Sequence, residues 1–292
     1  MLSITFLGTA GSIPTPERNT SAIAVKYDGK LFLFDCGEGT QRQMMKYKVG
    51  YGSLDAIFLT HLHLDHILGI YGLIETLRLT SPNPKPIEIH APKQLDSLLI
   101  NHYPFVKLQE TKKGELFRGK GFSISAFPVK HDKNSFGFVL EEEEKVKFDE
   151  KKAHALGLKG KMFSEIQRKG SLAVNGKKIK LEDITWKNPG RKVVYTGDTA
   201  PTSETVKAAK DADLLIHEAT FSEEKADEAK ERFHSTALQA AEIAKKANVK
   251  KLILTHISSR YSSEQELKKL LEEARSLFPN CEIAFDGQTI TL

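Results

Sequence analysis

Four potential metal donors crowd into six residues of Thr60-His61-Leu62-His63-Leu64-Asp65-His66. Neutral imidazole is the commonest zinc ligand, and a short loop lets His61 and His63 turn toward one ion. Asp65 and His66, next along, can turn toward a second. Packing such polar groups together without a cation is costly, because each loses its hydration. Three more donors stand elsewhere in the chain. His131 follows the apolar run 122–129, Asp198 follows Val193-Val194-Tyr195-Thr196-Gly197, and His256 follows Leu252-Ile253-Leu254-Thr255. One histidine past a strand is more often structural. Three donors repeating that placement suggest a single site on the rim of a sheet sandwich.

The elements that must hold these donors are legible as periodicity. Strand-like apolar runs are expected at 22–27, 31–34, 56–60, 87–89, 122–129 and 136–140. A first strand lies within residues 1–8. Helical patterns cover 40–47, 66–79 and 93–100. The second half repeats the theme, with strands at 192–195, 214–217, 252–255 and 282–285 and helices at 203–210, 236–246 and 264–276. Ser235 is a plausible N-cap for the helix that begins at 236. Strands followed by surface helices in both halves predict an α/β fold of two packed sheets with helices outside.

Composition narrows the chemistry. The chain has 292 residues, 40% of them apolar, enough for one large domain or two fused halves. No apolar run approaches the roughly 18 residues of a membrane span, and the start lacks the pattern of a signal peptide. Two cysteines, Cys36 and Cys281, exclude a disulfide framework and a cysteine zinc site, and they fit a reducing cytoplasm. Any metal must be held by the ten histidines and the carboxylates.

Charge is uneven. The chain carries +5 overall, but residues 151–180 hold nine Lys or Arg against the single acid Glu165. The stretch reads either as a solvated lysine-rich insertion or as a surface for a polyanion, and the concentration of the excess favours the second. Asp149 can cap a helix at 150–156 that stops at Gly157, and Asn175-Gly176 between 171–174 and 177–180 fits a type I′ hairpin. The segment is expected to be structured at its ends and to project from the core.

The donor set His61, His63, Asp65, His66, His131, Asp198 and His256 resembles that of the metallo-β-lactamase superfamily. Within it the chain resembles the tRNase Z family of precursor-tRNA 3′-processing endoribonucleases. Asp35-Cys36-Gly37-Glu38-Gly39-Thr40-Gln41 looks like that family's second-strand signature. Gly197-Asp198-Thr199, His217-Glu218-Ala219-Thr220, His234-Ser235-Thr236 and His256-Ile257-Ser258-Ser259-Arg260-Tyr261 follow in the family's order. The metal motif alone specifies the superfamily; the Glu218/His234 pair and the inserted basic segment specify the finer match.

The resemblance implies a metallo-β-lactamase αββα sandwich, one domain over residues 1–292, with an inserted basic exosite arm at about 149–180. It implies two Zn2+ per subunit, the first held by His61, His63 and His131, the second by Asp65, His66 and His256, with Asp198 bridging. Asp65, His234 and Glu218 are then the catalytic set. Asp65 takes a proton from the attacking water, His234 protonates the leaving group, and Glu218 orients His234. Water as nucleophile leaves no role for the 2′-hydroxyl, and the family cuts after the discriminator nucleotide to leave a tRNA 3′-hydroxyl and a 5′-phosphate on the trailer. The arm residues Lys151, Lys152, Lys159, Lys161, Arg168 and Lys169 are expected to grip the precursor tRNA. Affinity should fall by roughly 0.7–0.9 log units per log unit of salt for each phosphate contact. Arg260 could touch a phosphate or form an ordinary ion pair. His217 is expected to be buried beside the site, and His90, His102 and His154 to be structural or surface groups. The Asp35–Gly39 turn is expected to support the site rather than cradle phosphate.

Two departures from the family stand out. Gly160-Lys161 replaces the arm's usual Gly-Pro, and Pro14-Thr15-Pro16-Glu17-Arg18-Asn19 has proline where the family's loop, linked to discrimination against a CCA end, has lysine. The family forms homodimers in which one subunit's arm reaches the tRNA in the other's cleft, and no membrane is involved. Two rivals remain. Another hydrolase of the superfamily, acting on a small phosphodiester or thioester, would lack the basic arm and the Glu218/His234 pair. A non-enzymatic RNA-binding module would show broken metal ligands.

Overall fold

The computed structural model describes residues 1–98 and 103–292. Its largest unit, residues 1–141 and 191–292, is built on two seven-stranded sheets. The first runs in the order Thr289–Thr291, Ser3–Gly8, Ala22–Tyr27, Lys30–Phe34, Leu54–Phe58, Ile87–Ala91 and Val106–Glu110. The second runs Cys281–Ile283, Leu252–Thr255, Leu214–Glu218, Lys192–Tyr195, Phe136–Glu142, Phe122–Pro128 and Gly114–Gly119. Each sheet mixes parallel pairs near the site with antiparallel hairpins at its far edge.

The strand sequences explain the layering. In Lys30–Phe34, Leu31 and Leu33 join the cluster beneath the helices, while Phe32 and Phe34 point between the sheets. Leu214 and Ile216 likewise face inward while Leu215 faces the opposite helices. Strands covered on both faces need no polar alternation, which is why they read as unbroken apolar runs. Aromatic rings interlock across the sandwich, with Phe34 and Phe138 centroids 5.4 Å apart and Phe32 and Phe122 at 5.9 Å. Helices Thr40–Lys46 and Gly69–Thr80 cover one outer face, and Ser203–Ala209, Ala237–Lys246 and Glu264–Leu277 the other. The fold is therefore the αββα sandwich that the resemblance implies. Among the described residues no helix is long and apolar enough to cross a membrane. Both cysteines are free and buried.

Several boundaries differ from expectation. The strand leading to the histidine motif is Leu54–Phe58 rather than 56–60, because its parallel register starts at Leu31↔Leu54. Leu59 and Thr60 are thereby freed to lead into the site. The helix expected at 66–79 is two pieces, Leu64–Ile67 and Gly69–Thr80, split where Gly69 lies against the Gly37 carbonyl. Residues Lys93–Leu98 form a 3₁₀ helix in place of the expected α-helix; positions 99 and 100 lie outside the described residues. The helix Ala237–Lys246 is capped by Thr236 in a reciprocal box with Gln239, not by Ser235. The Ser235 hydroxyl is committed elsewhere, donating to the Thr199 carbonyl at 2.6 Å.

Residues 142–190 form a second compact unit. A two-stranded ribbon, Lys145–Phe148 with Thr185–Asn188, leads into helix Glu150–Ala155, helix Met162–Lys169 and the hairpin Ser171–Val174/Lys177–Lys180. Asp149 caps the first helix by accepting from the Lys152 amide at 3.0 Å. Asn175 and Gly176 both take positive φ, as a type I′ turn requires. The middle of the segment is ordered too: Ala153, Leu158, Ile166, Val174, Ile179 and Ile184 make its own core. The sequence conceals helix Met162–Lys169 because Ile166 is its one fully buried residue.

Candidate metal centre and its proton donor

Five elements deliver the donors to one end of the sandwich. His61 and His63 lie on the loop after Leu54–Phe58, Asp65 and His66 on the short helix Leu64–Ile67, and His131, Asp198 and His256 each just past a strand. Two backbone devices make the convergence possible. His256 itself adopts φ 56°, a left-handed conformation uncommon for a side chain of this size. Gly197, at φ 60°, precedes Asp198, and a Cβ there would meet the Thr60 side chain at 2.6 Å.

The side chains fall into sets whose donor atoms all lie within 4.8 Å of one another: His61, His63, His131 and Asp198; Asp65, His66 and His256; and Asp198, His234 and His256. Close approaches are 3.2 Å from His131 Nε2 to His63 Nδ1 and 3.3 Å from His66 Nε2 to His256 Nε2. The Asp65 carboxylate is 3.3 Å from His256 Nε2. Asp198 reaches both groups, with Oδ2 3.7 Å from His61 Nε2 and 3.4 Å from His66 Nε2, and Oδ1 3.3 Å from His256 Nε2. Ligands bound to one tetrahedral zinc at about 2.0–2.1 Å stand roughly 3.4 Å apart, so these spacings fit a shared cation.

The outer hydrogen bonds make the same point independently. His66 Nδ1 lies 2.9 Å from the Asp35 carboxylate, which can only accept, so Nδ1 carries a proton and Nε2 is the nitrogen left for a metal. His131 Nδ1 donates to the Phe233 carbonyl at 3.1 Å. The Thr60 hydroxyl donates to Asp35 at 3.0 Å, so His61 Nδ1, 3.0 Å away, must donate to Thr60. The Thr220 hydroxyl donates to Glu218 at 2.7 Å, so His256 Nδ1 donates to Thr220 at 2.9 Å. Four histidines thus turn Nε2, the nitrogen left for a metal, toward one another. His61 Nε2 and Asp198 Oδ1 are buried with no hydrogen-bond partner. An arrangement of facing lone pairs and an orphaned carboxylate oxygen is poor packing for a bare protein and good packing for a cation.

Electrostatics agree. Burial disfavours a charged His61, and its histidine neighbours add to this, so its pKa lies well below the ordinary value. Burial also opposes charge on His66, but Asp198, Asp35 and Asp65 outweigh it and push the pKa well above normal. Burial raises Asp198, yet His256 and His66 hold it well below the carboxylate range. The pocket calls for positive charge at its centre, which a fitting metal ion supplies. The fold and this His/Asp cluster fit a metal-binding site.

His234 stands beside this cluster, on the turn after helix Ala226–Glu231. Its Nδ1 is 2.7 Å from Glu218 Oε1. Glu218 is fully buried and also accepts from the Thr199 amide at 2.9 Å and the Thr220 amide at 3.1 Å. Burial works against a charged imidazole, but the Glu218 carboxylate overrides it and raises the His234 pKa to about 9. The reciprocal effect lowers Glu218 against its own burial. The pair is held as imidazolium and carboxylate, a proton store at the edge of the pocket.

Other groups named from sequence are distributed as follows. His217 is buried, with Nδ1 2.7 Å from the Glu218 carbonyl. His90 is buried and stacks on Phe58 at 4.7 Å. His154 bonds to the Leu158 carbonyl at 3.0 Å. His102 lies outside the described residues. The guanidinium of Arg260 is engaged by Glu228 in a bidentate pair at 2.8 and 2.7 Å. Lys151, Lys152, Lys159, Lys161, Arg168 and Lys169 are all exposed on the second unit. The Asp35–Gly39 turn does support the site, through Asp35.

Sequence reasoning missed three contributors. Tyr195, read as a plain strand residue, donates to Asp35 at 2.7 Å from the opposite sheet. Thr220 couples Glu218 to His256. Ser12, at φ 66°, donates its amide to Asp65 at 2.9 Å. Only the strand-end position of Tyr195, two residues before Gly197, hinted at a role. Asp35→Asn removes one acceptor face from four convergent donors, those of His66, Tyr195 and the Thr60 amide and hydroxyl. It should weaken metal binding by about 10- to 100-fold, read by competition with a chromophoric chelator.

Comparisons with known proteins fit this geometry. A family model described as "Anti-Pycsar protein Apyc1" matches residues 2–164, and one described as "Beta-lactamase superfamily domain" matches residues 183–257. Ribonuclease Z of Archaeoglobus fulgidus is 45% identical, over 99% of this chain and 97% of the relative. Ribonuclease Z of Myxococcus xanthus is 41% identical, over 100% and 98%. Among solved structures, human tRNase Z, short form, superposes with a TM-score of 0.68 at 29% identity, covering 99% of this chain and 98% of that one. The metallo-β-lactamase fold protein YhfI from Bacillus subtilis superposes at 0.74 with 21% identity, covering 99% and 98%, a likeness of fold. The chain shares its first half with the Apyc1 family and, across nearly its whole length, belongs to the ribonuclease Z family of metallo-β-lactamase-fold proteins.

Proposed function

We propose that the chain is a zinc-dependent endoribonuclease. It removes the 3′ trailer of precursor tRNA by cutting after the discriminator nucleotide, leaving a 3′-hydroxyl on the tRNA and a 5′-phosphate on the trailer. The observation that carries this reading is the buried Glu218–His234 pair beside a seven-donor cluster, in a chain 45% identical to a ribonuclease Z. His61, His63 and His131 would hold one zinc, Asp65, His66 and His256 a second, with Asp198 shared between them. Two such ions supply Lewis acidity, stabilising charge on the phosphate and lowering the pKa of water toward neutrality.

The chain's own residues do the rest. The Ser12 amide fixes the Asp65 carboxylate, which stands ready to accept a proton from the attacking water. His234 delivers a proton to the departing oxygen, and Glu218 sets the ring's tautomer and orientation. The Lys and Arg side chains of residues 151–180 bind RNA phosphates. The family resemblance supports a cytoplasmic homodimer with the second unit acting as the exosite arm.

A labelled precursor tRNA with a 3′ trailer tests the activity. Cleavage beside the discriminator should vanish with chelator and in His61→Ala; zinc-replete protein that leaves the precursor intact would refute the proposal. The arm is tested separately. Glu141 and Lys192 are partners in the sheet register, so residues 142–191 can be replaced by a two-residue Asn-Gly turn. That deletion should spare hydrolysis of a small nitrophenyl phosphodiester, reduce tRNA cleavage by at least about tenfold and flatten its salt dependence. Equal loss on both substrates would reject the exosite role.

A further inference from the structure

The second unit leaves one large aromatic side chain unused by folding. Trp186, the chain's only tryptophan, is 49% exposed on the strand Thr185–Asn188. It is absent from the core of its unit, whereas Phe148, on the partner strand, packs against that core and meets Phe163 edge-on at 5.1 Å. Register puts Lys147 directly opposite Trp186, and Lys145 opposite Asn188, so both lysines share the tryptophan's face of the ribbon. The Lys147 ammonium sits 5.7 Å from the indole centre. Among the described residues the ribbon has two strands, with no third strand of its sheet beside it.

Beside this indole lies an open groove of about 610 Å³, whose walls include Trp186, Val146, Leu181, Lys180 and Lys187. Its size falls within the roughly 300–1,000 Å³ of small-molecule sites. The walls are apolar and the rim is basic. Lys180 pairs with Glu182 at 3.1 Å and Lys187 with Glu144 at 2.8 Å. All four side chains are exposed, and such surface pairs exchange readily for a phosphate. An exposed aromatic plane flanked by lysines is how proteins hold single-stranded nucleic acid: bases stack on the ring and cations follow the backbone. The neighbouring stretch 151–180, with nine basic residues and one acid, supplies the charge complementarity for RNA.

We infer that the Trp186 groove is a stacking site for an unpaired nucleobase of the precursor tRNA, with its phosphates against Lys180 and Lys187. This inference rests on the proposed tRNA substrate and adds a base contact to the phosphate contacts of the arm. Because the chain has one tryptophan, its fluorescence reports this site alone. The test titrates full-length, zinc-loaded protein with precursor tRNA while the anisotropy of a labelled copy follows binding. Tryptophan quenching should saturate in step with binding. Trp186→Leu, which keeps apolar bulk but loses the ring, should weaken binding between roughly fivefold and a hundredfold, and Trp186→Phe should restore most of it. Binding with unaltered fluorescence and an unaltered Kd in Trp186→Leu would overturn the stacking site and leave the tRNA reading standing. No binding by anisotropy would overturn both. A fluorescence change that follows protein concentration without RNA would give this face to contact between copies and reject the inference. Should Trp186→Leu fail to fold, quenching of the wild-type protein and its protection from acrylamide by bound RNA decide alone.

Discussion

Asp198→Asn should abolish tRNA cleavage and strip metal from both halves of the site. Asp198 is fully buried and its two oxygens face donors of both sets, His61 and His131 on one side and His66 and His256 on the other. The amide keeps the volume and removes the charge. Outer partners of a metal ligand are worth about 10- to 100-fold in affinity, so a carboxylate shared by two ions should cost more than about 100-fold. Zinc per chain, measured on the desalted protein, should fall from near two toward zero. The proposed zinc would stabilise the wild-type fold by mass action, so the rise in melting temperature expected on metal addition should largely disappear in the variant. An Asp198→Asn protein carrying two zincs and cutting normally would disprove the shared role.

The second large effect belongs to His234. His234→Ala should lower kcat for precursor tRNA by about 10²- to 10⁴-fold, the usual worth of a positioned acid, with zinc content intact. The deficit should shrink sharply on a nitrophenyl phosphodiester, whose leaving group departs without a proton. Loss of the same size on both substrates would mean that His234 holds the site together rather than protonating the product. Glu218→Gln should behave as a milder version on the natural substrate. The Thr199 and Thr220 amides donate to different carboxylate oxygens, so the substitution also leaves one of them facing an NH₂, and the melting temperature should fall.

Much of this was legible before any coordinates. His61, His63, Asp65 and His66 announce themselves by density, and the strand-end positions of His131, Asp198 and His256 follow from apolar runs that stop abruptly. What escaped was whatever depends on one sheet touching the other. Tyr195 has the period and burial of any strand residue, and nothing in its neighbours says that its hydroxyl meets Asp35 across the sandwich. Thr220 and Ser12 act through an oxygen and an amide that any residue list would pass over. Edge elements were also missed. Val106–Glu110 and Gly114–Gly119 are half-exposed and carry too many polar residues for an apolar run to mark them. The helix Met162–Lys169 hides in a basic stretch because charge, rather than apolar spacing, dominates its composition. Ser235 and Thr236 are equally good caps by type, and only the tie from Ser235 to the Thr199 carbonyl decides between them.

The outer nitrogens of four histidines are each held by a different part of the framework: Asp35 for His66, Thr60 for His61, the Phe233 carbonyl for His131 and Thr220 for His256. None of these tethers involves an ion. Each ring is therefore gripped at its outer nitrogen by the framework, which fixes where its inner nitrogen points, so cutting one tether would let a single donor swing while the rest keep their places.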